Sequence, residues 1–317
     1  MTVIIVGSGG QDGRLLSEQL RAEGHTIVAV RRDRVDAPAE MSGIAPIDIR
    51  RADEVNSLIA IVKPAEVYYL AAYHHSSEQP AGLPGEALRR SLETNLMGLV
   101  NVLDAISQVS PATRVFYAAS SRVFGQHPTT PTQDETTPFR PECAYGISKA
   151  AAIETSRLYR RNHNLFVATG ILYNHESFYR GIQFVSRKIV RGAVNASQEA
   201  SELVLGDLSA RVDWGYAPDY VRAMRLILGL QIADDFVIAT GESHSVGEFA
   251  QIAFEAVGLD WRRFVRERPD VLRRPPMPLI GNASKLRTAS GWRPSIDFRA
   301  MVKALVMREL EEDRVAR

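Results

Sequence analysis

A single cysteine, Cys143, stands in a chain of 317 residues. That scarcity excludes an internal disulfide and any cysteine-cluster metal site, and it suits a reducing cytoplasm. With no histidine paired to it in sequence, Cys143 reads as a packing residue. No apolar run approaches the ~18 residues that a bilayer span requires, and the first apolar segment, Val3 to Val6, is too short for a secretory signal. Net charge is also missing, since 38 Lys and Arg stand against 37 Asp and Glu. On that balance neither nucleic acid nor a membrane surface is an expected partner, and an anionic ligand has to be held by local basic groups. There is no internal repeat and no low-complexity tract. What is present is an ordinary globular composition, 45% hydrophobic and 24% charged, in a length that fits one large domain or two closely joined ones.

The apolar residues come in short runs separated by helical patterns. Val3 to Val6 is unbroken, as in a strand buried on both faces of a parallel sheet. Gly7-Ser8-Gly9-Gly10-Gln11-Asp12-Gly13 follows at once, and an amphipathic helix is predicted from about Arg14 to Glu23. Strand, glycine-rich turn and helix in that order suit a dinucleotide pyrophosphate, because glycine lets the backbone approach and a helix N-terminus favours an anion. Gly7, Gly10 and Gly13, with Gln11 and Asp12 between them, are the candidate cofactor residues of this turn. A second strand, Thr26 to Val30, runs into Arg31 and Arg32, where an acidic residue would bind a ribose 2′-hydroxyl; arginines suit the 2′-phosphate of NADP. Asp48 and Ile49 are placed on the adenine side. Glu66 to Tyr69 reads as another buried strand, ending in a turn of Leu70, Ala71 and Ala72 where backbone meets cofactor. His74 and His75 follow, open to substrate but without a carboxylate at ligand spacing, so no metal site is expected.

The second half of the pattern delivers the chemistry. A helix from Leu92 to Ile106 carries Asn95, and a strand from Val115 to Ala118 presents Ser120 at its carboxyl end, where ligands of parallel sheets bind. Pro128 to Pro141 is a Thr- and Pro-rich loop placed to overhang that end. A helix from Tyr145 to about Arg161 and a strand from Leu165 to Leu172 follow. Tyr145 and Lys149 then fall one turn apart on one face. A neighbouring ammonium favours phenolate and lowers a tyrosine pKa from its ordinary value near ~10, which is what a base for a sugar hydroxyl needs. Ser120 supplies a second hydrogen bond to the reacting oxygen. Alternation of strand and helix argues for an α/β, Rossmann-type doubly wound parallel sheet over residues 1–173 and about 216–241. Residues 174–215 and 242–295 are richer in Arg, Pro and loop signals, and 174–215 with 242–317 are expected to form a smaller substrate-binding lobe, with helices near 246–257 and 297–312. Its Arg180, Arg187, Lys188, Arg211 and Arg273 are candidates to clamp a diphosphate.

Taken together these residues resemble the extended short-chain dehydrogenase/reductase family, and within it the GDP-mannose 4,6-dehydratases. The resemblance runs through Gly7 to Gly13, Leu70-Ala71-Ala72, Asp134 to Phe139, Gly170 to Ser177, Phe184 to Ile189, Asp213-Trp214-Gly215, Ile238 to Ser245 and Gly281 to Lys285. It implies an NADP-dependent enzyme on a GDP-sugar, in a homodimer or homotetramer. It assigns Tyr145 to the C4 hydroxyl proton, Lys149 to the nicotinamide ribose, and Ser120 to a place the family fills with Thr. Ser121, Asn174, Glu176, Lys188 and Arg273 fall on its substrate side.

The departures matter equally. Arg122 stands where the family carries the Glu that abstracts the C5 proton, and an arginine is no base at neutral pH. Arg211-Val212 and Arg273-Arg274-Pro275-Pro276 also break family patterns. Three readings follow. A dehydratase needs a replacement base, for which Glu176 or a water held by His175 are the candidates. A 4-ketosugar reductase or C4 epimerase needs only Ser120, Tyr145 and Lys149. A non-catalytic NADP-binding partner subunit needs none of them.

Overall fold

The computed structural model describes residues 1–41, 44–73, 84–128, 130–268 and 278–316. Apolar runs become the strands of one seven-stranded sheet: β1 (Thr2–Val6), β2 (Thr26–Val30), β3 (Val35–Asp36), β4 (Glu66–Tyr69), β5 (Arg114–Ser120), β6 (Val167–Leu172) and, after two short strands outside this sheet, β7 (Asn174–Glu176) and β8 (Trp214–Tyr216), β9 (Asp235–Ile238). The order across the sheet is β9-β6-β5-β4-β1-β2-β3, parallel except for the edge strand β3. The chain steps outward from β1 to β2, then returns to β4 on the other side of β1. The carboxyl ends of β1 and β4 therefore diverge into a crevice, the place where such sheets bind ligands.

Both faces of the sheet are covered, which is why its strands read as continuous apolar runs. Ile4 and Val6 pack into a core with α2 (Ala52–Val62), α4 (Gly98–Val109) and α5 (Ala144–His163). Val3 and Ile5, pointing the other way, pack with α1 (Gln11–Ala22), α7 (Ala217–Leu228) and Leu286 of α9 (Ser284–Ser290). A third core joins α6 (Val185–Glu199), α8 (Val246–Glu255) and α10 (Phe298–Ala316). There Trp214 stacks on Phe298 at 5.9 Å and meets the edge of Phe249 at 5.2 Å.

Three boundaries differ from the sequence expectation, each for a packing reason. Helix α1 begins at Gln11, not Arg14, so Gly13 lies inside it. A Cβ on Gly13 would sit 2.5 Å from the Gly7 carbonyl oxygen, and this close packing overrides the poor helix propensity of glycine. The helix expected from Leu92 starts at Pro84 as α3 (Pro84–Leu92) and passes through a π turn, Glu93–Met97, into α4. No helix was expected near 190, yet α6 forms because Ile189, Val190, Ala193, Val194 and Ala196 line one buried face. Its Gly192, a helix-breaking signal in sequence, lets Leu203 approach. The loop from Pro128 is tied down by Thr132–Gln133, which pairs with Ile280–Gly281, and by a 3.0 Å hydrogen bond from the Tyr173 hydroxyl to Gln133.

Candidate active site

The glycine turn is built by contact with its neighbours. Gly7 has φ +91°, and a Cβ there would lie 2.6 Å from the Ala71 nitrogen, so β1 and β4 close on each other at the crevice floor. The Leu70 amide donates to the Val6 carbonyl at 2.8 Å and continues that contact. Gly9 and Gly10 are exposed and leave the N-terminus of α1 open to the crevice. The Arg31 stem lies beside Gly9, and its Nε is buried 3.4 Å from Asp36 without a hydrogen bond among the described residues. Open glycines, a free helix N-terminus and an adjacent guanidinium fit a phosphate-bearing dinucleotide. Arg32 is exposed beside them, as is Ala72 across the crevice.

Gln11 and Asp12 turn away from this opening toward β7. The Gln11 amide donates to the His175 carbonyl at 3.0 Å and accepts from Ser177 at 2.9 Å. Asp12 receives His175 Nε2 at 3.0 Å on each carboxylate oxygen. Burial works against both charges, but each outweighs it for the other: Asp12 is held below the usual carboxylate range and His175 is pushed up. The adenine-side candidates are likewise engaged within the protein. Asp48 is clasped by Arg50 at 2.5 to 3.0 Å, and the Ile49 carbonyl accepts from Asn101 at 2.9 Å.

Strand β5 and helix α5 bring Ser120, Tyr145 and Lys149 together. Ser120 ends β5 and caps a short 3-10 turn, Ser121–Phe124, accepting the Arg122 amide at 3.3 Å. Cys143 is more than packing: its Sγ caps α5 by accepting the Gly146 amide at 3.3 Å. The Tyr145 phenol hydrogen-bonds to Ser120. Lys149 is 1% exposed, donates to the Ala118 carbonyl at 2.7 Å and lies 4.8 Å from the Tyr117 ring and 5.6 Å from the Tyr145 ring. Asn95, inside the π turn, donates to Ser148 at 2.9 Å and accepts the Tyr73 amide at 2.8 Å, so it braces α5. Ser148 and the Ala118 carbonyl were not singled out in the sequence; the position of Ser148 beside Lys149 was the available signal.

The electrostatics depart from expectation. Burial pushes Tyr145 up to about 12, with Ser120 and Arg180 pulling in the other direction. Burial also pushes Lys149 down to about 7. Lys149 places one of its donors on a carbonyl, and the low-dielectric pocket penalises the charged forms of both side chains.

The basic candidates divide. Arg180 stays at the site, its guanidinium 3.6 Å from the centre of the Phe184 ring and its Nε 3.3 Å from Glu176. Arg187 is bound to Glu309 and stacked on Phe178, and Arg211 is bonded to Ser243 at 3.1 Å and lies 3.8 Å from Glu248. Lys188 lies half-buried in the first turn of α6, and Asn174 half-buried at the start of β7. Ser121 is buried within its turn, whereas Arg122 is exposed. The two candidate replacement bases are engaged within the protein. Glu176 is buried, accepting Ser186 at 2.7 Å beside Arg180, and His175 has its other nitrogen on the Tyr173 carbonyl at 2.7 Å. His74, His75 and Arg273 lie outside the described residues.

Residues 4–305 match the family described as GDP-mannose 4,6 dehydratase. The chain is 34% identical over 330 residues to GDP-mannose 4,6 dehydratase 2 of Arabidopsis thaliana, covering 97% of this chain and 86% of that protein. Among solved structures it superposes on dTDP-glucose 4,6-dehydratase from Bacillus anthracis in complex with NAD, with TM-score 0.83, 17% identity and coverage of 99% and 98%. RMD from Pseudomonas aeruginosa complexed with NADPH gives TM-score 0.80 at 21% identity, with coverage of 96% and 97%. Those two share the fold, whereas the sequence match carries the family. The chain belongs to the GDP-mannose 4,6-dehydratase family, enzymes of the extended short-chain dehydrogenase/reductase type.

Proposed function

We propose that this protein is an NADP(H)-dependent nucleotide-sugar oxidoreductase that works at C4 alone, reducing a GDP-4-keto-6-deoxyhexose. The observation that carries this reading is the state of the carboxylates. Asp12 and Glu176 are each held in an ion pair, and Arg122 follows Ser120 where an elimination would need a base. Tyr145 is placed for the proton transfer: burial holds its phenol in the protonated form, the form that donates to a ketone oxygen, with Ser120 holding that oxygen in place. A bound nicotinamide supplies the hydride. Arg31 and Arg32 support NADP over NAD, and Arg180, Asn174 and Lys188 support binding of the sugar diphosphate from the lobe of residues 174–215 and 242–317.

A second reading is conversion of GDP-mannose to GDP-4-keto-6-deoxymannose, favoured by the match to the Arabidopsis dehydratase over 97% of this chain. One experiment separates the two. The purified protein is incubated with GDP-4-keto-6-deoxymannose and NADPH, and separately with GDP-mannose and NADP⁺ in deuterated water, and both sugar nucleotides are followed by mass spectrometry. Gain of two hydrogens in the first tube with no change in the second is the expected result. Loss of water from GDP-mannose, with deuterium entering at C5, would overturn the reductase in favour of the dehydratase.

A further inference from the structure

We propose that His175 is a positioning residue for the cofactor site: as an imidazolium it fixes Asp12, in the first turn of α1, to strand β7 and cancels the carboxylate charge behind the helix N-terminus. The inference rests on reading that turn as the dinucleotide site. Its basis is geometric. His175 Nδ1 is 2.7 Å from the Tyr173 carbonyl oxygen, and Nε2 is 3.0 Å from each oxygen of Asp12. A carbonyl and a carboxylate both accept, so both ring nitrogens donate, and only the protonated ring does that. The ring is buried and stacked on Tyr220 at 4.4 Å with an interplanar angle of 16°.

The charged and titratable groups around the pair come from each packed element. Asp12 faces His175 from α1, Tyr220 from α7, and Arg180 from the segment before α6, while the Asp12 charge reaches Tyr145 on α5. Gln11 binds the His175 carbonyl and Ser177 alongside, so two adjacent residues of α1 are stitched to the chain that carries Asn174 and Glu176. A neutral imidazole has one N–H and would forfeit one of its two bonds. Asp12 would then carry an uncompensated charge in the first turn of α1, behind the helix N-terminus that receives the pyrophosphate in this reading, and its field would reach the phenol of Tyr145.

Two measurements test this. In ¹⁵N-histidine protein without cofactor, the His175 ring should be doubly protonated at pH 7 and titrate above the ordinary value of ~6.5. A neutral His175 at pH 7 would overturn the proposal, whatever the enzyme's substrate. Fluorescence titration with NADPH then compares wild type, His175→Gln and the double variant His175→Gln/Asp12→Asn. Affinity should fall about tenfold in His175→Gln, the effect of one uncompensated charge shifting the equilibrium by about one unit, and most of it should return in the double variant. The wild-type affinity should also decline as pH rises through the His175 titration, a slope that both variants lose. A double variant no better than the single one would overturn the charge role. Absence of NADPH binding by wild type would instead refute the cofactor reading, and the ring titration alone would then decide whether His175 is an imidazolium.

Discussion

At Tyr145 two influences compete, and the structure decides between them. The spacing Tyr145 to Lys149 was legible in the sequence, but not that Lys149 would be drawn into a buried hydrogen bond with Ala118. If Tyr145 is the proton donor, Tyr145→Phe should lower hydride transfer by about 10²–10⁴ while NADPH binding is retained; turnover near wild type would refute its role. Lys149 carries a second prediction. Its folded pKa of about 7 lies below its unfolded value, so between about pH 7 and 10.5 the unfolded chain binds a proton that the folded chain does not. Stability contributed by this group therefore rises with pH across that window. Thermal melts from pH 6.5 to 9.5 should show a more positive slope for wild type than for Lys149→Met, and equal slopes would contradict the burial of the ammonium.

Elements were legible where local signals and packing agreed, and displaced where a glycine served a tertiary contact. Gly13 is the clearest case. Helix propensity alone predicts that Gly13→Ala stabilises α1 by up to ~1 kcal/mol, but the new Cβ would meet Gly7 and Ser8 backbone at 2.5 Å. Overpacking of that kind costs about 1–3 kcal/mol, so the variant should melt at a lower temperature than wild type; a higher one would show that the turn can relax. The turn from β2 to β3 carries a specificity prediction. Arg31 sits beside Gly9 with Asp36 at 3.4 Å, where the proposed NADP would carry its ribose phosphate. Arg31→Ala should weaken NADPH binding about tenfold, as loss of one charge-assisted hydrogen bond does, and leave NADH binding unchanged. Equal affinity of the wild-type protein for NADPH and NADH would remove the basis for NADP preference.

The whole molecule has apolar side chains that its own cores do not use. Met97, at the start of α4, is 47% exposed, and Ile147 and Leu158 on α5 are 41% and 44% exposed. We propose that the long helices around 92–106 and 146–161 form a four-helix interface between two copies, as the family resemblance implies. Light scattering should give at least twice the 35.1 kDa chain mass, and a monomer at micromolar concentration would reject the interface.

By itself the sequence determined the alternation of strand and helix, the glycine turn, and the Ser120, Tyr145, Lys149 set, because buried parallel strands, tight turns and a one-turn helical spacing each leave a local signature. The resemblance of the sequence to its family also implied that Arg122 stands where a base is expected. The tertiary structure decided which charges remain available. His175 and Asp12 are 163 residues apart and meet only when β7 docks on α1. Glu176 is engaged by Ser186, Arg187 by Glu309, and Arg211 by Ser243, partners that no local pattern announces. Ion pairing depends on side chains brought together across the fold, and desolvation depends on everything that surrounds them. The Ser120, Tyr145, Lys149 spacing was therefore readable along the chain, while the ion pairing of Asp12 and Glu176 arose only from packing.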